Sequence, residues 1–193
     1  AYLAFNKYIL DTLLYREMYR LFGESMRVSR MSLTNWLEKG SIHLCGLVTY
    51  LKNTCLEKDS IVNCDETWCR VRRERCYKKK YIWCLVNRLS KVVIYCYEDG
   101  SRGRDALKHI LGDSQVKALQ SDGYNIYMYL DDHMVDIEHL CCMPHARSKF
   151  KYALEQGDDE DAAFILELIG ELYKLEREYE EGKLSPEQIR FCR

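Results

Sequence analysis

The chain has 193 residues, of which 47% are hydrophobic and 31% charged, and its net charge at pH 7 is −1. This composition is typical of a soluble globular protein with one sizeable core. No apolar run approaches the roughly 18 to 20 residues that span a bilayer, and the amino end lacks the flanks of a signal peptide. We therefore expect a cytoplasmic protein with no membrane partner.

Ten cysteines raise the question of disulfides. Cys64, Cys84 and Cys96 lie inside apolar runs, and no C-x-x-C pair occurs. Because the chain is also long for a disulfide-rich scaffold, we predict that most of the cysteines are buried free thiols.

Residues 1–58 have the periodicity of helices. Gly23 can end a first helix, whose apolar stripe consists of Leu10, Leu13, Leu14, Met18, Leu21 and Phe22. A second helix is predicted from a Ser29 cap to Gly40, with Leu33, Trp36 and Leu37 on its inward face. This order is typical of a helix-turn-helix-like DNA-binding segment, and a plain helical hairpin is the alternative. The DNA-facing residues of the first interpretation are Arg27, Arg30, Ser32, Thr34 and Asn35.

The segment 59–155 alternates between strand and helix signals. The predicted order is strands over 60–69, 80–87 and 91–97, a helix over 103–111, a strand over 116–121, a helix over 124–131 and a strand over 136–142. This order predicts an α/β fold, a ribonuclease-H-like mixed sheet with flanking helices, preceded by the helical segment. Since a helix supplies the crossover, the first strand should lie parallel to the strand that ends at Asp122.

Two acids interrupt the apolar strand IVNCDETWCRV, residues 61–71, although burying an unpaired charge is costly. Asp65 lies on one face of this strand, and Asp122 ends a neighbouring strand on one of its faces. Such paired carboxylates indicate a magnesium site, because Mg²⁺ takes oxygen ligands and two metal ions can support phosphoryl transfer. The alternative is that each aspartate only caps a turn. Glu66 points the other way and should tolerate substitution.

The charges are segregated along the chain. Between residues 70 and 91 there are nine Lys or Arg against one Glu, and between 155 and 181 eleven acids against two basic residues. A basic ribbon flanked by aromatic residues suits a nucleic-acid backbone, and a solvated hairpin is the alternative. The predicted phosphate-binding residues of this ribbon are Arg70, Arg72, Arg73, Lys78, Lys79 and Lys80.

Two further stretches leave alternatives open. In HLCCMPHARSKF, His139, Cys142 and His145 have zinc-ligand types at unorthodox spacing, so packing of the cysteines competes with a zinc site. Arg147 and Lys149 follow at the start of a helix and could contact DNA phosphate. The stretch SRGRD either begins a helix in an ordinary way or presents Arg102 and Arg104 to a nucleic acid.

Five stretches together resemble the central region of the insertion sequence 66 family of bacterial DDE transposases. They are YREMYRLFGESMRVSRMSLTNWL, NCDETWCRV, QSDGYNIY, HLCCMPHARSKF and ELYKLE. The resemblance implies a ribonuclease-H-like catalytic core that cuts DNA at transposon ends and joins the freed 3′-hydroxyl to target DNA. It also implies that Asp65 and Asp122 are the first two acids of the catalytic triad, and that the protein assembles as a homo-oligomer in a synaptic complex.

The third acid of the triad has no matching motif in this chain. An NN-x-x-E-R segment, which would carry the glutamate in the family, is absent. Within the chain we predict Glu176, which borders an apolar helical stripe, and a solvated acidic helix is the alternative interpretation. We assign 156–193 to an acidic helical segment, part of a helical insertion.

The chain begins at Ala1 already in helical rhythm and stops just after an apparent helix start at Ser185 and Pro186. We therefore expect a fragment of a longer protein. The predicted function is a DNA transposase or a piece of one. A non-catalytic DNA-binding remnant and a metal-dependent nuclease on the same fold are the alternatives.

Overall fold

The computed structural model describes the backbone of residues 1–23, 28–73, 76–131, 136–157, 159–183 and 185–192. Side chains are not described at Arg73, Tyr129, Asp131, Ile189, Phe191 and Cys192. The chain divides into two compact units, Ala1–Thr54 and Cys55–Arg193. None of the described helices is both long enough and apolar enough to cross a membrane.

The first unit is helical, with α1 (Tyr2–Tyr8), α2 (Leu14–Phe22), α3 (Arg30–Ile42) and α4 (Cys45–Cys55). Gly23 ends α2 as predicted, with φ of +54°, a conformation that glycine adopts without strain. Ser29 caps α3 as predicted, because its side chain accepts a hydrogen bond from the Ser32 amide at 3.1 Å. Gly40 lies inside α3 and does not end it. Arg27 lies outside the described residues.

Burial in this unit differs from the predicted apolar stripe. Glu17 is the buried residue of α2, where it accepts a hydrogen bond from Asn6 at 2.9 Å and pairs with Arg20 at 3.0 Å. Leu33 of α3 is buried, but Trp36 is exposed and meets Phe22 edge-to-face. The helical periodicity was therefore predicted correctly, but the inward face was not, since a paired glutamate occupies it.

The second unit contains a mixed sheet of five strands: β1 (Ile61–Arg73), β2 (Cys76–Asn87), β3 (Val92–Cys96), β4 (Ala118–Ser121) and β5 (Glu138–Cys141). The strand order is β3-β2-β1-β4-β5. β1 is antiparallel to β2, as β2 is to β3, whereas β4 is parallel to both β1 and β5. The predicted α/β class and the parallel pairing of the first strand with β4 are confirmed.

Helices complete the second unit: α5 (Arg104–Leu111), a 3-10 helix (Asn125–Asp131), α6 (Met143–Gln156), α7 (Glu160–Glu180) and α8 (Pro186–Cys192). α5 makes the crossover from β3 to β4. α7 carries most of the acidic segment, and Asp159 caps it by accepting a hydrogen bond from the Ala162 amide.

The β1–β2 hairpin extends beyond the apolar runs that predicted it. Its register pairs Asn63 with Val86 near one end and Arg73 with Cys76 at the other. The 3-10 helix meets one face of the sheet, where Tyr127 packs edge-to-face on Trp83. The buried core residues of the sheet, α5 and the 3-10 helix include Trp83, Leu85, Leu107, Ile110, Leu119 and Tyr127. Because side chains alternate along β1, Cys64 and Glu66 belong to this packed face, while Asn63 and Asp65 belong to the opposite face.

The cysteines are free wherever the structure describes them, as predicted. The prediction that most are buried is wrong. Only Cys55 and Cys64 are fully buried among the nine described, and three are exposed: Cys45, Cys76 and Cys141. Two of the exposed cysteines lie where the sheet covers less of a side chain. Cys76 is at the outer end of the β1–β2 hairpin, and Cys141 is at the end of the edge strand β5.

Candidate metal and DNA site

Asp65 and Asp122 line the same cavity, two residues beyond the last parallel pair of β1 and β4. Asp65 lies in β1, and Asp122 directly follows β4. The cavity has a volume of about 280 Å³, and its lining residues are Asn63, Cys64, Asp65, Cys84, Val86, Gln120, Ser121, Asp122, Cys142 and His145. The structure thus brings together the two acids that the sequence singled out.

The polar floor of this cavity follows from the register of β1 and β4. Asn63 is directly opposite Gln120, and the Asn63 side-chain amide donates a hydrogen bond to the Gln120 side-chain oxygen. This pair fixes the two strands side by side, two residues before each aspartate. Because side chains alternate along a strand, Asn63 lies on the same face of β1 as Asp65, and Gln120 on the same face as Asp122.

Each aspartate uses one carboxylate oxygen locally. Asp65 Oδ1 accepts a hydrogen bond from the Glu66 amide at 2.8 Å, and Asp122 Oδ1 accepts one from the Tyr124 amide at 3.0 Å. The Asp122 contact forms an Asx turn that Gly123 completes with φ of +76°, so the turn-capping alternative is part of the structure. Neither carboxylate forms an ion pair with a residue that the structure describes. Each aspartate therefore keeps an oxygen for a cation.

Glu66 behaves in the opposite way. Its side chain is 1% exposed, and it pairs with Arg102 at 2.6 Å. The Tyr127 hydroxyl donates a second hydrogen bond to Glu66 at 2.8 Å. The predicted direction of Glu66 was correct, but the prediction that it tolerates substitution must be reversed, because these partners stabilise a buried charge that would otherwise be costly.

Arg102 is held in place by charge and by aromatic rings. Its guanidinium lies 3.8 Å from the Tyr124 ring centroid and 5.2 Å from that of Tyr81. Desolvation lowers the pKa of Arg102, but the hydrogen bond and charge of Glu66 outweigh this effect and raise it. Because its charge is paired with Glu66, Arg102 is a weaker candidate for the predicted phosphate contact than the exposed Arg104.

Burial on this face also suppresses ionisation of its neutral groups. Burial raises the pKa of the Cys64 thiol to about 12, and the nearby Glu66 and Asp65 charges add to the effect. Burial likewise raises the pKa of the Tyr127 phenol, with contributions from Cys64 and Glu66. Both groups are therefore neutral at physiological pH, and Cys64 is not a nucleophile.

Glu176 does not line the cavity of the two aspartates. It is a half-buried residue of α7 and lines a second cavity of about 610 Å³ together with Arg88, Gln120, Tyr173, Arg177 and Glu180. Gln120 is shared by both cavities. Across the described part of the chain, no three His, Cys, Asp or Glu side chains are grouped so that they could hold a metal ion.

The histidines and cysteines of the proposed zinc motif are separated. His139 lies on the packed face, where its Nε2 is 2.8 Å from Ser121 Oγ and its ring stacks on Tyr127. Cys142 and His145 line the aspartate cavity instead. The packing alternative therefore describes His139 better than zinc binding does.

Comparison with known proteins identifies the family of this chain. The sequence profile of the Transposase IS66 family matches residues 1–193. The chain belongs to the IS66 transposase family. A protein of Sinorhizobium fredii (strain NBRC 101917 / NGR234) named "Uncharacterized protein y4qI" is 27% identical over 194 residues, which cover 92% of this chain and 35% of that protein. The chain thus spans about a third of the length of that curated relative.

The basic residues of this IS66 chain fall into two groups on the hairpin. Arg70, Arg72, Lys78 and Lys79 are exposed, and the Arg73 side chain lies outside the described residues. Lys80 is mostly buried, because it pairs with Asp99 at 3.7 Å and also donates a hydrogen bond to the Asp99 carbonyl. Lys80 is therefore the weakest candidate of the predicted phosphate-binding set, since its ammonium is anchored to the turn after β3.

The remaining predicted cations lie near the helix starts. Arg104 is exposed in the first turn of α5. Arg147 is exposed on α6, and the Lys149 ammonium donates to the Asp122 main-chain carbonyl at 3.4 Å. Lys149 therefore brings a positive charge beside the Asp122 turn, a proximity that the sequence did not predict.

Proposed function

We propose that this chain supplies part of the catalytic core of a transposase, with Asp65 and Asp122 as ligands of divalent metal ions. The observation that carries this proposal is the shared cavity of the two aspartates, each with a carboxylate oxygen that is not engaged in an ion pair. Membership of the IS66 transposase family supports the same proposal. In the complete protein the reaction is cleavage of DNA at transposon ends and transfer of the 3′-hydroxyl to target DNA.

The donor set fits magnesium. Two carboxylates with side-chain amides nearby provide the oxygen atoms that Mg²⁺ prefers, and this ion keeps several positions for water and phosphate. When bound, metal ions activate the attacking oxygen and stabilise the leaving oxygen of an in-line displacement. The chain's own part is to hold the two carboxylates on paired strands, through Asn63 and Gln120, and to place Lys149 beside Asp122.

The strand order supports a ribonuclease-H-like interpretation of the sheet. Three antiparallel strands followed by two strands that join parallel to the first give the order β3-β2-β1-β4-β5. In sheets of this kind ligands bind beyond the carboxyl ends of the parallel strands, which is where the aspartate cavity lies.

Glu176 stays our prediction for the third carboxylate. Its cavity borders the aspartate cavity at Gln120, which supports the assignment, but the two cavities have different linings. The same separation favours a second candidate function, a non-catalytic DNA-binding remnant. Strand cleavage by the complete protein distinguishes the two candidates, and strand joining distinguishes a transposase from a nuclease.

Metal binding by the 193-residue chain tests the proposed site directly. Calorimetric titration with Mn²⁺, a close substitute for Mg²⁺, should detect binding that is lost in Asp65→Asn and in Asp122→Asn. The matched control is Asp105→Asn, an exposed aspartate in the first turn of α5. Equal Mn²⁺ binding by the unmodified chain and both site variants would contradict the proposal.

The exposed cations of the hairpin are proposed to bind DNA phosphate without reading sequence. The affinity for duplex DNA should then fall with salt, with a logarithmic slope of about −0.9 for each phosphate neutralised. Lys78→Gln with Lys79→Gln should make that slope shallower by up to about two units. Lys80→Gln is the matched control and should change it little, because Lys80 is anchored to Asp99. An unchanged slope in the double variant would leave the hairpin as a solvated edge.

A further inference from the structure

The outer half of the β1–β2 hairpin carries only aromatic and cationic side chains on one of its faces. The alternation of the strands places Trp68, Arg70 and Arg72 of β1 opposite Tyr81, Lys79 and Tyr77 of β2. Trp68 is 52% exposed and Tyr77 is 67% exposed. Two large aromatic rings are thus exposed to solvent and flanked by positive charges.

The cations and rings of this face alternate in space as well as in sequence. The Arg70 guanidinium lies 5.9 Å from the Trp68 ring centroid, and the Lys79 ammonium lies 5.3 Å from Trp68 and 5.5 Å from Tyr81. Arg102 continues the row between Tyr81 and Tyr124. The row therefore runs from the hairpin to Tyr124, on the face of β1 that also carries Glu66.

A groove of about 450 Å³ opens on this face. Its lining residues are Trp68, Arg70, Tyr77, Lys78 and Lys79. Exposed rings stack on bases, which requires bases whose faces are free of neighbouring base pairs, whereas cations alone suffice for a duplex backbone. The charge of the groove suits phosphate, and its rings suit unpaired bases.

We propose that this groove binds an unpaired DNA strand, with Trp68 and Tyr77 stacking on bases and Arg70, Lys78 and Lys79 contacting the phosphates. The proposal rests on the proposed function, because it specifies which form of DNA the hairpin takes. It assigns to Trp68 a role that a purely electrostatic ribbon does not need.

Fluorescence anisotropy on the 193-residue chain tests this inference, with oligothymidylate and a sequence-matched duplex of about 16 nucleotides as probes. We expect Trp68→Ala to weaken oligothymidylate binding by about fivefold or more and to leave duplex binding nearly unchanged. Trp68→Phe should retain the single-strand affinity. The matched control is Phe164→Ala, which removes a ring of similar exposure, 59%, from the acidic helix α7 and should change neither affinity.

A second measurement does not depend on the folding of the alanine variant. Oligothymidylate should quench the tryptophan fluorescence of a Trp36→Phe chain, from which the other exposed tryptophan has been removed, and adding Trp68→Phe should abolish most of that quenching, since Trp83 is buried. Duplex binding with no effect of Trp68→Ala on oligothymidylate, or with equal losses for both probes, overturns this inference and leaves the proposed DNA binding intact. Failure to bind either probe overturns both. A change of oligomeric state in Trp68→Ala, with DNA binding unaltered, overturns the inference in favour of an interface between copies.

Discussion

Asp65 and Glu66 are neighbours in β1, yet the two faces of the strand surround them in opposite ways. Glu66 is buried, pairs with Arg102 and accepts a hydrogen bond from Tyr127. Asp65 is exposed, lines an open cavity with Asp122 and forms no ion pair with a described residue. The neutralised carboxylate of Glu66 holds the fold together, whereas Asp65 and Asp122 are the cation ligands that we propose. In this proposal the same side-chain chemistry has a structural role on one face and a binding role on the other.

The largest effect is expected on the Asp65 face. Asp65→Asn or Asp122→Asn in the complete transposase should lower strand transfer by about a thousandfold or more, because metal ions contribute several kcal/mol of transition-state stabilisation. DNA affinity should remain, since the hairpin cations are untouched. Strand-transfer assays with pre-cut transposon ends measure the loss. Activity close to that of the unmodified protein would remove both aspartates from the mechanism.

On the packed face, Glu66→Ala should lower the free energy of unfolding by about 3 kcal/mol, at the low end for a broken buried ion pair because Arg102 is partly exposed. Urea unfolding of the 193-residue chain measures this change. Asp65→Ala is the matched control from the adjacent position, and it should change stability by less than about 0.5 kcal/mol. Equal losses in the two variants would show that the faces do not differ as described.

A smaller loss is expected from Tyr127→Phe, which keeps the ring and removes only the hydroxyl that donates to Glu66. The free energy of unfolding should fall by about 1.5 kcal/mol, which is the lower end of the range for a hydrogen bond to a charged group. In Glu66→Gln the same Tyr127→Phe change should have less effect, and a double-mutant cycle measures the difference. Additive losses would mean that the Tyr127 hydroxyl stabilises the fold independently of the Glu66 charge, for example through its contact with Cys64 Sγ at 3.6 Å.

The last prediction concerns the pH dependence of stability. The folded state raises the pKa of Cys64 from 9.0 to about 12, so its contribution is fully present below pH 9 and is lost as the pH rises towards 12. In that interval the stability should fall by up to about 1.4 kcal/mol per pH unit for this one proton. Cys64→Ala should show a shallower alkaline decline than the exposed control Cys76→Ala. Parallel declines would show that Cys64 ionises freely in the folded state.

The sequence was sufficient for the order of the strands and for the pairing of the two aspartates. The alternation of apolar and polar residues, together with the turn residues, predicted the strands. The crossover helix α5 predicted that β4 runs parallel to β1. The partner of Glu66 could not be predicted, since Arg102 is 36 residues away and the chain offers many other cations. The anchoring of Lys80 was missed for the same reason, because the turn at Asp99 meets β2 only in the folded sheet. The length of the hairpin was underestimated, since cation–ring contacts across strands replace apolar alternation there.

The register of the sheet has a consequence for the order of folding. The β1–β2 hairpin joins neighbouring segments, and such hairpins form within about 1 to 10 μs. The pairing of Asn63 with Gln120 closes a separation of 57 residues and must wait for α5 to make the crossover. We therefore expect a nascent chain to acquire its cationic hairpin early and its paired aspartates late. In terms of the proposed function, the hairpin proposed to bind DNA would form before the site proposed to hold metal ions.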